Sequence, residues 1–299
     1  MKVLGIVASH RRLGNTEILV KEALMGAEEQ GAKADILRWT DYHILPCDGL
    51  ATCLFGGTGC ALKDKDDHNY LLEKIYECDG LIFGAPCYLL EVPAIVRRFI
   101  DRLFVLMSSP PPTTMRQKPA AIIIPYATRG WTSYAFLQPN LMMLELGMAV
   151  IDRALIHIQG MSEATDNQRA LDRAHKIGIT LAQAIKTGDV TYRGEPGICP
   201  ICHDRNIHIL KDNQTVECGL CGIRGKLSIE SGKIKVHFPE EQVKWHRFSE
   251  ENIYRHFTYE IKPSKDYFIK TWPLLKEKRR KYRDYLRIDR EPVIPEGRG

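Results

Sequence analysis

Short apolar runs alternate with helical patterns through the first 187 residues, and this alternation restricts the chain to one class of fold. The runs are rich in β-branched residues, as buried strands are, and each leads through a polar loop into a segment of helical periodicity. The pattern predicts an α/β domain, a doubly wound parallel five-stranded sheet with helices on both faces. The predicted strands are 3–8, 34–39, 80–84, 120–124 and 149–158, and the predicted helices are 15–30, 71–76, 92–104, 133–146 and 167–186.

The loop after the first strand, Ser9 to Thr16, has the composition of a phosphate site. It opens a helix, whose first N–H groups have no partner within the helix and carry the positive end of its dipole. Ser9, Asn15 and Thr16 add side-chain donors. For the loop taken alone, an ordinary turn with a helix cap remains an equal alternative.

Two common nucleotide motifs are absent from this loop. A Walker loop would place lysine where Asn15 stands and glycine near Ser9, and a dinucleotide fingerprint requires G-x-G-x-x-G. The remaining interpretation is a loop for a single terminal phosphate.

Two further loops follow predicted strands at the same edge of the sheet, where ligands of such folds bind. The loop Ala85–Leu90 offers Tyr88, and the loop Ala127–Trp131 offers Thr128 and an indole. Aromatic side chains and backbone amides suit a flat heteroaromatic ring. These loops contain no arrangement typical of a hydrolytic triad.

Nine cysteines in a chain expected to be cytoplasmic favour metal or redox roles over disulfides. No apolar stretch is long enough to span a bilayer, and the N-terminal apolar run is too short for a signal peptide. Cys47, Cys53 and Cys60 lie in an irregular segment, residues 40–68, of a length that is usually functional. Cys78 and Cys87 are interpreted as packing residues.

Two C-x-x-C pairs, Cys199/Cys202 and Cys218/Cys221, form the most specific motif in the chain. Each pair can form a knuckle with two thiolates facing one ion, and a hairpin between them predicts a tetrahedral site. The pattern resembles a zinc ribbon. Zinc is favoured over a rubredoxin-like iron, because rubredoxins have a longer gap, and His203 and His208 are expected to be surplus to the site.

The basic excess lies wholly in the C-terminal part: residues 191–299 have a net charge of +6, and residues 1–190 have −1. A second hairpin is predicted around Ser231-Gly232 and a charged helix over 274–286. Such a basic, aromatic tail suggests nucleic-acid binding. Acidic residues interleave with the basic ones, so a solvated helix whose aromatic side chains dock on the N-terminal α/β domain or on a neighbouring subunit is favoured. The predicted domains are 1–187, a linker 188–197, a ribbon 198–238 and an extension 239–299.

The N-terminal half resembles the NADPH-dependent FMN reductase family of the flavodoxin-like superfamily, over residues 1 to about 187. The resemblance is carried by residues 9–16 (SHRRLGNT), Asp66-Asp67, residues 79–88 (DGLIFGAPCY) and residues 98–102 (RFIDR). It implies bound FMN, NAD(P)H as co-substrate and a homodimer or homotetramer. The implied cofactor-binding residues are Ser9, Arg11, Asn15 and Thr16 for the phosphate, and Pro86, Cys87, Tyr88, Leu89, Thr128, Arg129 and Gly130 for the ring.

The middle cysteines resemble the iron–sulfur flavoprotein branch of the same family, which holds a [4Fe–4S] cluster on four cysteines before an Asp-Asp. Cys47, Cys53 and Cys60 fall in that segment, but Leu50 stands where the fourth cysteine is expected. Since a cubane cluster normally requires four thiolates, cysteines that only pack the loop are the favoured interpretation.

The leading hypothesis is an FMN-dependent NAD(P)H oxidoreductase that passes electrons to a small acceptor or a redox protein. Tyr88, Thr128 and Arg129 are candidates for polarising the ring edge. One alternative is an electron carrier with a cluster at Cys47, Cys53 and Cys60. The other is a flavin-sensing module that binds nucleic acid or protein through the ribbon and tail.

Overall fold

A parallel sheet of five strands forms the centre of the first of two compact units, Met1–Ile253. The structure is a computed structural model that describes residues 1–56, 59–107, 113–283 and 285. The strand order is β2-β1-β3-β4-β5, so the predicted doubly wound α/β fold is confirmed. The strands are β1 (Lys2–Val7), β2 (Lys33–Arg38), β3 (Gly80–Gly84), β4 (Pro119–Tyr126) and β5 (Ala149–His157).

Helices cover both faces of this sheet, and each face has its own apolar core. Trp39, Phe83 and Phe99 lie at the centre of one core, and Val20, Leu181 and other small aliphatic residues fill the second. The first core is covered by α3 (His68–Glu77), α4 (Ala94–Arg102) and α5 (Leu137–Glu145), and the second by α1 (Asn15–Glu29) and α6 (Gln168–Thr187).

The strand order changes direction between β1 and β3, and this point decides where a ligand can bind. All the pairings in the sheet are parallel, so the loops after β1, β3 and β4 meet at one edge. In doubly wound sheets the crevice at such a switch point is the usual ligand site. The fold therefore brings the three loops singled out from the sequence to the same edge.

A second, antiparallel sheet follows in the same compact unit. Its strands β6 (Ile207–Ile209), β7 (Thr215–Cys218), β8 (Arg224–Glu230) and β9 (Lys233–His237) pair in sequence order. The predicted second hairpin is formed by β8 and β9, with Ser231 and Gly232 in the turn. The short helix α7 (Glu240–Lys244) comes next.

The second compact unit begins at Tyr254, within α8 (Glu250–His256). It continues through a π-helical turn (Phe257–Ile261) into α9 (Lys262–Lys278) and α10 (Arg280–Arg283). The helix predicted over 274–286 thus starts earlier and is divided at Arg279, and Leu286 lies outside the described residues. Among the described helices, none combines the length and the apolar character that crossing a membrane requires.

Two of the predicted helices begin two to four residues later than predicted. The helix predicted from Val92 begins at Ala94, because Pro93 takes an extended conformation, and it changes to a 3₁₀-helix after Arg102. The helix predicted from Ser133 begins at Leu137, because the Tyr134 N–H bonds to a distant loop. In the described part of the irregular segment 40–68, Thr52–Phe55 form a helical turn, α2.

Candidate functional site

The loop after β1 brings two buried hydroxyls beside the start of α1. Ser9 and Thr16 are almost completely buried, and α1 begins at Asn15 with Gly14 as its cap. The first intrahelical bond of this turn runs from the Ile18 N–H to the Gly14 carbonyl, 3.0 Å. The preceding N–H groups of α1 therefore point out of the helix at the carboxyl edge of the sheet, as an anion site requires.

An ion pair between the buried Glu17 and the partly buried Arg38, which the sequence analysis missed, holds the shape of this loop. The Arg38 guanidinium lies 2.5 Å from the Glu17 carboxylate and also donates to the carbonyls of Ser9 and Arg11, at 3.0 and 3.2 Å. Glu17 in turn accepts the Leu13 N–H. Burial would raise the pKa of Glu17, but bonds from Lys21, Arg38 and the Leu13 N–H lower it to about 2. The loop is thus held by a charge pair whose carboxylate is ionised.

One signal in the sequence could have revealed that Glu17 holds the loop. It is the third residue of α1, the position from which a glutamate commonly reaches back to the N–H groups before a helix. Nothing comparable marks Arg38, because it contacts the loop from the neighbouring strand β2.

Asn15 and Arg11, the other two residues predicted to contact a phosphate, form hydrogen bonds within the protein. The Asn15 side chain donates to the Gly160 carbonyl at 2.8 Å and accepts the Ala164 N–H at 3.1 Å, so it ties α1 to the segment after β5. Arg11 is exposed, and its backbone N–H donates to the Ser9 hydroxyl at 3.3 Å. The amide of Asn15 therefore already has hydrogen-bond partners within the protein.

The loop after β3 presents the residues predicted to face a ring. The Cys87 N–H bonds to the Pro125 carbonyl at 3.0 Å, which sets this loop against the end of β4. Leu89 is 84% exposed with a positive φ of 47°, and Tyr88 is about half exposed. Such large apolar exposure at a sheet edge is what a bound planar group would cover. Cys78, by contrast, is buried in the core as predicted.

The loop after β4 lies beside it. Thr128, Arg129 and Gly130 are exposed, and Gly130 has a φ of +77°, which a residue with a side chain rarely adopts. The Cys87 thiol donates to the Trp131 carbonyl at 3.2 Å and so joins this loop to the one after β3. Partial burial raises the pKa of Cys87, so this thiol is a hydrogen-bond donor rather than a thiolate.

The middle cysteines line a cavity of about 160 Å³ next to α4. Cys47, Cys53 and Cys60 all contribute to its wall, and the Arg102 Nε lies 3.2 Å from the Cys60 Sγ. Leu50 is 70% exposed. Among the described residues, these three thiols do not form a group close enough to hold one ion. Because Leu50 stands in place of a fourth cysteine, the described wall of this cavity offers three thiols, whereas a cubane cluster normally takes four thiolates.

The four ribbon cysteines do form such a group. All are buried, and their four Sγ atoms lie within 4.8 Å of one another, with Cys202 and Cys218 at 3.6 Å. The N–H groups of Ile201 and Cys221 point at two of these sulfurs. Four converging thiols are the donor set of a tetrahedral zinc or iron site.

The two histidines near the ribbon remain outside the sulfur group. The His203 ring stacks on Tyr192 at 3.5 Å between centroids, and burial lowers its pKa to about 4. His208 is exposed.

With this geometry established, comparison with known proteins identifies the class. The model of the NADPH-dependent FMN reductase family matches residues 1–161, more than half of the chain, and the chain belongs to this family. The fold and the family together define a flavodoxin-like oxidoreductase that uses FMN.

The relatives of this chain include a flavone synthase and several iron–sulfur flavoproteins. A flavone synthase of Aspergillus candidus is 27% identical over 259 residues, 77% of this chain and 79% of its own. An iron–sulfur flavoprotein of Archaeoglobus fulgidus is 28% identical over 196 residues, 66% of this chain and 84% of its own. Another, from Methanocaldococcus jannaschii, is 37% identical over 102 residues, 34% of this chain and 51% of its own.

Among solved structures, a flavone reductase superposes with a TM-score of 0.79 at 24% identity, covering 98% of this chain and 100% of its own. This likeness shows that the fold extends beyond the region of the family model.

Proposed function

We propose that the protein is an FMN-dependent NAD(P)H oxidoreductase that reduces a small, planar, conjugated acceptor. The observation that carries the proposal is the meeting of three loops at the switch point of the sheet. One has buried hydroxyls and outward N–H groups, and the other two have exposed aromatic and apolar side chains. These are the separate requirements of a phosphate and of a ring.

The phosphate end would be bound by residues of the first loop. Ser9 and Thr16 supply hydroxyls, Asn15 its N–H, and the exposed Arg11 side chain a movable positive charge. The Glu17–Arg38 pair keeps the loop in shape. The negative charge of the ionised Glu17 is balanced by the positive charges of Arg38 and Lys21. The loop therefore does not repel an anion.

The ring end would be bound by the loops after β3 and β4, through Pro86, Cys87, Tyr88, Leu89, Thr128, Arg129 and Gly130. FMN, when bound, supplies hydride chemistry between a nicotinamide and an acceptor. Tyr88 and Leu89 would cover the ring and exclude water. Thr128 and Arg129 are the candidates for hydrogen bonds to its polar edge.

The relatives favour one acceptor class. A flavone synthase and a flavone reductase are named for the same aromatic ketone, although in opposite directions of reaction. We therefore propose a flavone-like substrate with a conjugated C=C bond. NAD(P)H would lose a hydride, and the alkene would gain that hydride and a solvent proton, a balanced two-electron reduction.

The test is anaerobic reduction of the FMN-loaded protein. NADPH or NADH is added and the visible flavin absorbance is followed, and a flavone is then added in the dark. Bleaching by a nicotinamide followed by recovery with the flavone is the expected result. Bleaching without recovery would remove the flavone proposal alone, and an absence of bleaching with both nicotinamides would remove the oxidoreductase proposal.

We further propose that Cys199, Cys202, Cys218 and Cys221 hold zinc in a structural role. Four thiolates would complete the small second sheet, which has little core of its own. Purified protein should contain about one zinc per chain, and Cys218→Ser should lose it, whereas Cys87→Ser, outside the ribbon, should keep it. Iron in place of zinc would instead make the ribbon a redox centre.

An iron–sulfur electron carrier is the second candidate, favoured by the cavity between Cys47, Cys53 and Cys60. Its requirement is a fourth ligand, since Leu50 offers none. The test is the iron and sulfide content of protein purified without oxygen. Iron with an equal amount of acid-labile sulfide would support this candidate, and its absence would leave these cysteines as packing residues of the loop.

A further inference from the structure

The ribbon is docked onto the sheet domain through the turn that carries its first two cysteines. The fully buried Asn140 of α5 donates to the Cys202 carbonyl at 3.1 Å, and the Arg153 guanidinium of β5 donates to the His203 carbonyl. Tyr192 stacks on the His203 ring. The carbonyls of this metal-ligand turn are therefore held by side chains of the flavodoxin-like domain.

Apolar contacts reinforce the same docking. The side chains of Leu137, Leu141 and Leu144 pack against the cluster that contains the four buried cysteines. All three leucines belong to α5, the helix that follows the predicted ring-binding loop after β4. The helix α5 thus packs on the first core of the parallel sheet with one set of side chains and on the ribbon with another.

The chain leaving this turn reaches the ring loop directly. The Asp204 carboxylate accepts both the N–H and the amide of Asn206, at 2.8 and 2.7 Å. The same Asn206 amide donates to the Ser133 carbonyl at 2.9 Å. One side chain thus connects the ribbon to the segment between the loop after β4 and α5.

Ser133 lies where both ring loops are joined. The next residue, Tyr134, donates its N–H to the Leu90 carbonyl at 3.1 Å, which is the end of the loop after β3. Two residues earlier, the Trp131 carbonyl accepts the Cys87 thiol. Thr128 to Trp131 are otherwise exposed, so few contacts restrict their conformation.

We propose that Asn206 is a positioning residue through which the metal-bound ribbon sets the conformation of the ring-binding loop 127–133. The inference rests on the proposed function for what the loop binds, but not for the coupling itself. With the metal bound, the first cysteine turn is rigid and Asn206 faces Ser133. Without the metal, four buried thiols lose their common ligand, the turn loosens, and the loop loses its hydrogen bond.

Hydrogen–deuterium exchange of the full-length, metal-loaded protein tests this coupling. Asn206→Ala should accelerate exchange of peptides covering 127–135 about five-fold, the effect of losing one hydrogen bond. Exchange in α1 and α6 should not change. The matched control is Gln214→Ala, which removes another side-chain amide from the exposed turn between β6 and β7.

Three further measurements make the result decisive. Metal content of Asn206→Ala should equal that of the unaltered protein. Removal of the metal with a chelator should reproduce the faster exchange in 127–135. In FMN titrations, the variant should bind about five-fold more weakly and with an altered visible spectrum of the flavin, since the loop would meet the ring differently.

Unchanged exchange in 127–135 with the metal retained would overturn the proposal. So would loss of metal from Asn206→Ala, because Asn206 would then act on the ribbon rather than on the loop. The hydrogen–deuterium exchange measurements are made both with and without flavin. Failure of the protein to bind FMN would therefore count against the proposed function and leave the coupling to be judged by exchange alone.

Discussion

Arg102 and Asp66 form an ion pair that is completely buried beside the cysteine-lined cavity, with 2.5 Å between Nη1 and Oδ2. Arg102 also donates to the Leu45 carbonyl at 3.3 Å. Burial would raise the pKa of Asp66, but hydrogen bonds from Arg102 and the Leu45 N–H lower it. The pair therefore closes the long loop after β2 onto α4.

Substituting Arg102→Met should lower the free energy of unfolding by about 3–5 kcal/mol, because Asp66 would be left as an uncompensated buried charge. Chemical denaturation measures this loss. The control is Arg97→Met on the same helix, which breaks an exposed pair with Asp101 and should cost less than about 1 kcal/mol. Equal losses in the two variants would contradict the account.

His175 of α6 lies between two carboxylates of α1, with 2.8 Å to Glu22 and 3.0 Å to Glu29. The hydrogen bonds of Glu29 and Glu22 raise the pKa of His175 above its ordinary value of 6.5. A group whose folded-state pKa is raised stabilises the fold fully below its unfolded-state pKa. That contribution is lost as the pH rises through the folded-state pKa.

We expect His175→Gln to be destabilised most below pH 6.5, with the difference from the unaltered protein shrinking as the pH rises. Denaturation at a series of pH values measures it. His10→Gln, at an exposed position in the first loop, is the control and should show no such trend. A stability difference between His175→Gln and the unaltered protein that grows as the pH rises would contradict this prediction.

At the scale of elements, α1 and α6 approach so closely that glycine is required at their contact. A Cβ on Gly178 would lie 1.7 Å from the Ala23 carbonyl oxygen, and one on Gly26 would lie 2.2 Å from that of His175. The obstacle is backbone in both cases, so it cannot move aside as a side chain would.

Gly178→Ala should therefore destabilise the protein by about 1–3 kcal/mol through overpacking, although alanine favours a helix by about 1 kcal/mol. Thermal unfolding measures the change. Gln183→Ala, on the exposed side of the same helix, should be nearly neutral. A higher melting temperature for Gly178→Ala would show that the two helices are not held at this distance.

The parallel sheet could be predicted from sequence because the signal of each strand is local. An apolar β-branched run such as 120–124 reads as a strand whatever it pairs with. The start of α5 could not, because it depends on the bond from Tyr134 to Leu90, two residues that lie far apart in the chain. Helix boundaries of this kind are set by tertiary contacts.

The candidate site likewise combines features that short motifs predict with features that depend on contacts between distant segments. The loop Ser9–Thr16 and the four ribbon cysteines are short motifs whose chemistry is contained in their spacing. The Glu17–Arg38 pair, the Asn15 bond to Gly160 and the docking of Asn140 on Cys202 each join separate segments. The position of Glu17 in α1 marks that residue alone, and no periodicity or spacing within one segment could have indicated its partner Arg38 or the other two contacts.

At the scale of the molecule, the flavodoxin-like sheet and the cysteine ribbon belong to one compact unit, Met1–Ile253. The ribbon contacts α5, β5 and the chain beside the ring loop, so the two sheets share a boundary next to the proposed FMN site. The central claim concerns that site: the loop after β1 holds a phosphate, and the loops after β3 and β4 hold a ring.

The most direct measurement of this claim compares the dissociation constants of FMN and riboflavin, which differ only in the phosphate. FMN should bind at least about 100-fold more tightly than riboflavin, which is the effect of two charge-assisted hydrogen bonds. Ser9→Ala should weaken the binding of FMN and leave the binding of riboflavin unchanged. Equal affinities for the two flavins, or binding of neither, would contradict the account.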